Sequence, residues 1–147
     1  MIPSKLDLLV WRGTSFELEL ISQVKNYLYD PAVHNGAADR KRTHAENLEH
    51  YGFVWEYVDF LSLYTQAELV VMKPWQQNMD ESREPLLELS MENGGIQLTT
   101  SSIKVGIDAE ETQEIMFDKG VYKLRLFTEE GKVDGLIYGE MNVKGER

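Results

Sequence analysis

Apolar side chains alternate with polar ones in short segments along most of this chain. Phe16, Leu18 and Leu20 alternate with Glu17 and Glu19. Successive side chains of a β-strand point to opposite faces, so this spacing predicts a strand with one buried face. The same pattern recurs at 67–71, 87–89, 96–98, 103–107, 122–126 and 137–143. With the opening segment 6–11, this gives about seven or eight short strands, a number that suits a two-sheet antiparallel β-sandwich.

Turn signals divide these segments. The stretch from Gly120 to Phe127 leads into the polar sequence Thr128–Lys132 and returns as 133–143, which predicts a β-hairpin. Asn93-Gly94-Gly95 predicts another reversal, because glycine tolerates the positive φ of tight turns. Asp108 is followed by acidic residues, which predicts one or two helical turns over 108–115. The segment 74–85 is interpreted as a loop.

The segment from Lys25 to Gly52 breaks the strand rhythm. Residues 26–31 are interpreted as an extended piece that ends in a turn, and Asn35-Gly36 is a second turn signal. A thin apolar stripe within 37–51 indicates a short amphipathic helix. We therefore expect one domain over 1–147 that carries a long inserted loop or short helix at about 25–52. Insertions of this length are commonly functional or disordered, so this one is the candidate for a specialised surface.

Length, charge and cysteine content limit the function classes. The 147 residues suit a single compact domain. The absence of cysteine excludes disulfides and thiolate metal sites. A net charge of −10 opposes close approach to phosphate backbones, so we expect no nucleic-acid partner. Without a basic leader or an apolar run of about 20 residues, we expect neither export nor a membrane partner.

Residue patterns for catalysis are weak. His34, His44 and His50 lie near Glu46 and Glu49, but their spacing differs from the His-Glu-x-x-His arrangement that aligns two imidazoles on one helical face. The carboxylate pairs at 110–111 and 129–130 occur in turn or helix-start contexts that are open to water. No serine lies in a Gly-x-Ser-x-Gly elbow, and no Gly-rich phosphate loop is present. We expect no catalytic residues, no cofactor and no metal, and hence no enzyme.

Aromatic residues crowd into the insertion and the segment after it. Phe53, Trp55 and Tyr57 have period two and are expected to form a strand that packs on the core, with an exposed contact surface as the alternative. Tyr27 and Tyr29 lie beside a turn and are candidates for a protein–protein interface, the alternative being a locally packed loop. The candidate interface also includes Arg40, Lys41 and Arg42. This basic run is suited to pair with the acidic second half of a neighbouring copy, since residues 1–73 carry −3 and residues 74–147 carry −7.

Several sequence segments, taken together and in order, resemble a known family. They are the segments 8–18, 64–69, 86–96, 108–112 and 120–143. They are similar to virion proteins of tailed bacteriophages, in particular the sandwich domains of upper-baseplate and of tail-collar or tail-accessory proteins of siphophages. Leu63 departs from the resemblance where such sequences commonly have a turn glycine, and the insertion at 25–52 is longer than the reversal expected there.

The resemblance implies an immunoglobulin-like or related β-sandwich that acts as a structural component of a phage tail, collar or baseplate. Its partners would be other copies of itself in a ring or layer and other tail proteins, and its location the virion, assembled in the host cytoplasm. No catalytic residue is implied by the resemblance. The alternative from another class is a carbohydrate- or receptor-binding module in which Trp55, Tyr57 and Trp75 stack on sugar rings.

Overall fold

The structure is a computed structural model that describes residues 3–74 and 84–147. It is mainly β, and the chain forms two compact units. One unit is Ile21–Val58, and the other contains the described residues before and after it. The insertion expected at 25–52 thus lies within a unit that has its own strands. Whether both units behave as one domain stays a prediction, and most of the loop expected at 74–85 lies outside the described residues.

The larger unit contains nine strands and two short helices among the described residues. Its strands are β1 (Ser4–Lys5), β2 (Leu8–Trp11), β3 (Phe16–Leu20), β6 (Gln66–Met72), β7 (Leu87–Ser90), β8 (Ile96–Leu98), β9 (Ile103–Ile107), β10 (Lys119–Phe127) and β11 (Val133–Lys144). Its helices are α3 (Phe60–Leu63) and α4 (Ala109–Gln113). The smaller unit contains β4 (Gln23–Tyr27), α1 (Ala37–Lys41), α2 (His44–Tyr51) and β5 (Phe53–Tyr57).

The strands of the larger unit form two sheets. A six-stranded sheet has the order β1-β11-β10-β6-β7, and β2 also pairs with β11. A three-stranded sheet has the order β3-β9-β8. All pairs in both sheets are antiparallel except that β1 and β2 run parallel to β11. Purely antiparallel pairing was therefore wrong at this edge, because the period of a strand carries no information about its partner's direction.

Each of the two sheets buries one face, as the alternation predicted. In β10 the buried side chains are Tyr122, Leu124 and Leu126, and in β9 every second residue from Ile103 is buried. β6 of the larger sheet contacts β8 of the smaller sheet. Fully buried aliphatic side chains such as Leu69 each contribute about 1.5–3 kcal/mol relative to exposure, so apolar burial holds this unit together.

The predicted hairpin is confirmed. Phe127 pairs with Val133, and the connection contains Gly131 at φ 88°. The amide of Gly131 donates to the carbonyl of Thr128 at 3.0 Å, which closes the turn. A β-bulge interrupts the pairing, since Leu124 pairs with Ile137 while the next residue, Arg125, pairs with Gly135. The extra residue of the bulge is therefore on β11.

The helices begin where the sequence provides caps. The Asp108 side chain accepts a hydrogen bond from the amide of Glu111 at 2.8 Å, which confirms the predicted start of α4. The single helix expected within 37–51 is instead two helices, since α1 ends and Thr43 caps the start of α2. None of the helices within the described ranges is long and apolar enough to cross a membrane.

A buried arginine joins three backbone segments of the larger unit. The side chain of Arg12 is only 3% exposed. Its guanidinium donates to the carbonyls of Ile115 at 2.9 Å, Phe117 at 2.8 Å and Gly145 at 2.7 Å, and to Asp118 Oδ1 at 2.9 Å. These bonds satisfy the desolvated charge and fix the end of β2 to the segments that follow α4 and β11.

Between β1 and β2 the chain passes close over β11. The amide of Leu6 donates to the carbonyl of Tyr138 at 2.8 Å, and the amide of Glu140 donates to Asp7 Oδ1 at 3.0 Å. The hydroxyl of Tyr122 donates to the carbonyl of Leu6. Gly139 lies directly beneath this crossing, where a side chain would overlap the Leu6 carbonyl oxygen.

Candidate interaction surface

The smaller unit presents an aromatic surface on a two-stranded hairpin. β4 and β5 pair in antiparallel register, which sets Tyr27 opposite Phe53, Lys25 opposite Trp55, and Gln23 opposite Tyr57. Directly paired residues share one face of a sheet, so the four aromatic side chains lie together with Lys25 between them. We call the surface formed by Lys25, Tyr27, Phe53, Trp55 and Tyr57 the aromatic face.

The aromatic face is open to solvent. Tyr27 is 44% exposed, Phe53 40%, Trp55 56% and Tyr57 57%. The strand predicted for 53–57 is confirmed, but its placement in the core was wrong. Period two shows that side chains share a face, and it does not show whether another layer covers that face.

Ring contacts arrange the aromatic face. Tyr27 and Phe53 meet edge to face with centroids 5.8 Å apart, and Phe53 and Trp55 do so at 5.4 Å. The ammonium of Lys25 lies 4.5 Å from the Phe53 centroid and 5.6 Å from the Trp55 centroid. These distances are within the range of cation–π attraction. The surface is therefore both apolar and positively charged.

A polar network, and not an apolar core, holds the helices of the smaller unit. Asn47 is its only buried residue and donates to the Asp39 carbonyl at 2.9 Å. The Asp39 carboxylate accepts from the Tyr51 hydroxyl at 2.6 Å and pairs with Arg42. The Tyr51 hydrogen bond lowers the pKa of Asp39, while the same bond raises the pKa of Tyr51.

The three histidines lie in ring contacts within this unit. His34 stacks on Tyr51 with centroids 4.0 Å apart, His50 meets the edge of the same ring, and His44 meets the edge of Tyr29. Nδ1 of His34 also accepts a hydrogen bond from the amide of Asp30 at 2.9 Å. Within the described part of the chain, no group of three His, Asp or Glu side chains is arranged to hold a metal ion.

The candidate interface residues fall into three environments. Tyr27 belongs to the aromatic face. Tyr29 is half-buried and stacks on Tyr51 at 5.7 Å, which matches the local packing that the sequence left as the alternative. Arg42 donates to Asn47 Oδ1 at 2.8 Å and pairs with Asp39, so the network already holds it. Arg40 and Lys41 are exposed.

The sequence did not single out Lys25, and it offered an exposed surface for Phe53, Trp55 and Tyr57 only as the alternative to the core. The available signal was that odd-numbered positions at the start of the insertion, 25–27, and just after it, 53–57, carry the aromatic and basic residues. A hairpin that joins these segments would have brought them to one face. Only pairing across the insertion reveals this, and the sequence contains no marker of that pairing.

The three-stranded sheet offers a second surface in the larger unit. Glu17 and Glu19 of β3 are exposed and lie opposite Gly106 and Lys104 of β9. Neither glutamate forms an ion pair with any described residue. They border a depression of about 560 Å³, which continues past Gly106 to Gln97. We call this surface, formed by Glu17, Glu19, Gln97, Lys104 and Gly106, the acidic face.

A smaller cleft at the end of the same sheet brings two carboxylates together. It measures about 270 Å³ and is lined by residues that include Ser15, Asp108 and Glu111. The negative charge of Asp108 raises the pKa of Glu111, with burial as the second cause. Asp108 is also the cap of α4, so this pair has a structural role in starting that helix.

Compared with known proteins, the chain matches no family model and no curated protein sequence.

Proposed function

We propose that this chain is a non-enzymatic structural component of a tailed-phage virion, located in the tail, collar or baseplate. It would act through contacts with copies of itself and with other virion proteins. The proposal includes an immunoglobulin-like or related β-sandwich as the fold of the larger unit. Two sheets that each bury one face support this fold. The ordered sequence segments that resemble tailed-phage virion proteins support the phage origin.

The observation that carries the assembly function is the aromatic face. The smaller unit buries only Asn47, yet it exposes four aromatic side chains on one side of a hairpin. Aromatic residues are enriched where proteins bind each other, since they supply large contact areas with few rotatable bonds. A unit with this distribution is suited to contact another chain.

Purified particles test the proposed function. Tailed particles from the source lysate are banded in a density gradient, and their proteins are quantified by mass spectrometry. The chain should be present in the particle band at several copies per particle. A non-structural phage protein from the same lysate is the control, and it should be absent from that band. Finding the chain only in the soluble fraction contradicts the proposal.

A carbohydrate- or receptor-binding module is the second candidate. Trp55 and Tyr57 are exposed on the same face of β5, which this function requires. Trp75, the third residue of that hypothesis, lies outside the described residues. Two features oppose flat stacking of a sugar: the Phe53 and Trp55 rings are nearly perpendicular at 88°, and Lys25 lies over both. A glycan array that compares the wild type with Trp55→Ala, and with Val54→Ala as the control, tests this candidate.

A further inference from the structure

We propose that the aromatic face of one copy docks on the acidic face of a second copy, which joins copies head to tail. This inference rests on the proposed function, because it names the two surfaces through which the chain assembles with itself. A contact between two different surfaces closes into a ring if the rotation between copies allows it, and otherwise it extends the assembly.

The size of the aromatic face supports a protein partner. The four rings are between 40% and 57% exposed. At about 150–250 Å² per aromatic side chain, they leave roughly 400 Å² of contiguous surface open. This is comparable with the largest apolar patch of a typical monomer, about 300–600 Å², and such patches are often functional. A standard interface buries about 800 Å² on each partner, so this contact alone is modest. Repetition around a closed ring would strengthen it.

The charges of the two faces support the acidic face as the surface on which the aromatic face docks. The aromatic face contains the cation Lys25 and no carboxylate. The acidic face contains Glu17 and Glu19, without ion pairs among the described residues, and the single cation Lys104, so the carboxylates outnumber it. The two units differ in the same sense. Residues 21–58 contain 4 Lys+Arg and 5 Asp+Glu, which gives −1, and the other residues carry −9. Opposite charges would orient the encounter and raise its rate.

Shape is also compatible with this acceptor. Gly106 has no side chain, and the nearest atom to a Cβ built there is the Phe16 carbonyl oxygen at 3.7 Å. The floor of the acidic face is therefore low beside Glu17. Trp55, which is 56% exposed, is the aromatic side chain that lies opposite Lys25. An indole in this depression would bring Lys25 toward the glutamates.

Self-association of two aromatic faces is less favourable. Lys25 is in the middle row of the hairpin, with Tyr27 and Gln23 on either side along its strand. A two-fold axis through this row would bring two ammonium groups together at the centre of the contact. Desolvated like charges oppose association, so the symmetric contact is less stable than the head-to-tail contact.

Sedimentation of the full-length chain tests the inference. Wild type is compared with Trp55→Ala, Lys25→Glu and the pair Glu17→Lys with Glu19→Lys. Val54→Ala is the matched control, because Val54 lies on the opposite face of the same strand and is 44% exposed. The wild type and Val54→Ala should associate, and Trp55→Ala should raise the dissociation constant about 30-fold, as expected of an aromatic hot spot. Each charge reversal should also raise it at least about 10-fold.

Mixing the variants gives the decisive measurement. The Lys25→Glu chain keeps a wild-type acidic face, and the doubly substituted Glu17→Lys, Glu19→Lys chain keeps a wild-type aromatic face. Their mixture should associate more strongly than either variant alone, because it offers both the wild-type contact and a charge-reversed one. Combining all three substitutions in one chain should restore larger assemblies. Circular dichroism checks that each variant is folded, and Lys25→Gln replaces Lys25→Glu if the latter is not.

Other outcomes overturn the inference. A wild type that stays monomeric at high concentration, a mixture that stays monomeric, or an equal effect of Val54→Ala each contradicts it. So does a glycan that binds the wild type and not Trp55→Ala. These results are separate from the proposed function: a chain present in particles but unaffected by these variants keeps the function and loses the docking contact.

Discussion

At the scale of single residues, a few polar side chains have roles that their exposure alone does not reveal. Arg12 is almost fully buried and donates to three backbone carbonyls, whereas Arg147 is half exposed and its side chain donates to Asp118 at 3.2 Å. Both arginines lower the pKa of Asp118, and the hydrogen bond from Arg12 is the largest single cause. The same residue type therefore serves as a structural clamp at one position and as a surface ion pair at the other.

Arg12→Lys should lower the free energy of unfolding by about 2–3 kcal/mol, because one ammonium cannot reach all the acceptors and buried carbonyls lose their partners. Arg147→Lys is the matched control and should change it by less than about 1 kcal/mol, as is usual for exposed ion pairs. Urea unfolding measures both. Equal effects of the two substitutions would show that Arg12 is no clamp.

Tyr64 makes the stability of the larger unit depend on pH in the alkaline range. Burial, followed by a 2.8 Å hydrogen bond to Asp134, raises the pKa of Tyr64 to about 12. Its ordinary pKa is about 10. Below pH 10 the phenol is neutral in both the folded and the unfolded state, so its full contribution to stability is present. Between pH 10 and 12 only the unfolded state loses the proton, and stability falls as pH rises.

Tyr64→Phe should therefore reduce the difference in urea midpoint between about pH 8 and about pH 11. Some difference should remain, because burial also raises the pKa of Tyr122. Tyr138→Phe serves as the control, since Tyr138 is 43% exposed. An unchanged pH dependence in Tyr64→Phe would contradict the raised pKa of Tyr64.

At the scale of elements, the bulge in the β10–β11 hairpin shows where alternation fails. Before the bulge, Ile137 pairs with the buried Leu124 and is itself buried. Beyond it, Asp134 pairs with the buried Leu126, so the carboxylate is on the side from which Tyr64 reaches it. One extra residue reverses the faces of a strand. Sequence spacing located both strands and the turn, but it contained no sign of this reversal.

The crossing over β11 depends on the lack of a side chain at Gly139. A methyl group there would overlap the Leu6 carbonyl oxygen and lie 2.8 Å from Asp7 Oδ1. Gly139→Ala should lower the free energy of unfolding by about 2–3 kcal/mol, as overpacking does. Gly106→Ala is the control, because its Cβ would meet only an ordinary contact at 3.7 Å and should change stability by less than about 1 kcal/mol. Thermal or urea unfolding that ranks the two variants equally would be inconsistent with this crossing.

The fate of β5 shows what spacing can and cannot predict. Phe53, Trp55 and Tyr57 do share one face of a strand, as their period indicates. A buried face in β10 and an exposed one in β5 have the same spacing in sequence. The difference arises because the sheet that contains β10 packs on the three-stranded sheet, where β6 contacts β8, whereas the face of β5 that carries Phe53, Trp55 and Tyr57 is exposed. Such packing depends on contacts between distant segments, which a single sequence does not display.

At the scale of the whole molecule, the two units are held together differently. The larger unit has buried aliphatic side chains on both of its sheets, and the smaller unit relies on the network around Asp39 and Asn47. Alternation predicted the mainly β character of the first. It did not predict that 21–58 forms a unit of its own, since hydrogen-bond networks among Asp39, Arg42 and Tyr51 have no periodic signature.

Asp39→Ala should loosen the smaller unit alone. The Tyr51 hydroxyl, Arg42 and the Gly36 amide would lose an acceptor, so amides in 37–51 should exchange with solvent about 10–100-fold faster. Amides of β10 are the internal reference and Glu49→Ala is the control variant, since Glu49 is exposed. Because the pKa of Asp39 is lowered, acidification through that lowered pKa should act like the substitution. Uniform exchange across both units would contradict this division.

The pairing of β1 and β2 with β11 has a consequence for the order of events during synthesis. Asp7 and Glu140, which share a hydrogen bond at this edge, are 133 residues apart in the chain. A ribosome therefore releases β1 and β2 long before β11 is synthesised. Until then these two strands cannot form their sheet pairing. Contacts between residues this far apart in sequence slow folding, and unpaired strands are prone to aggregation. Chaperone dependence during expression is the expected result of this topology.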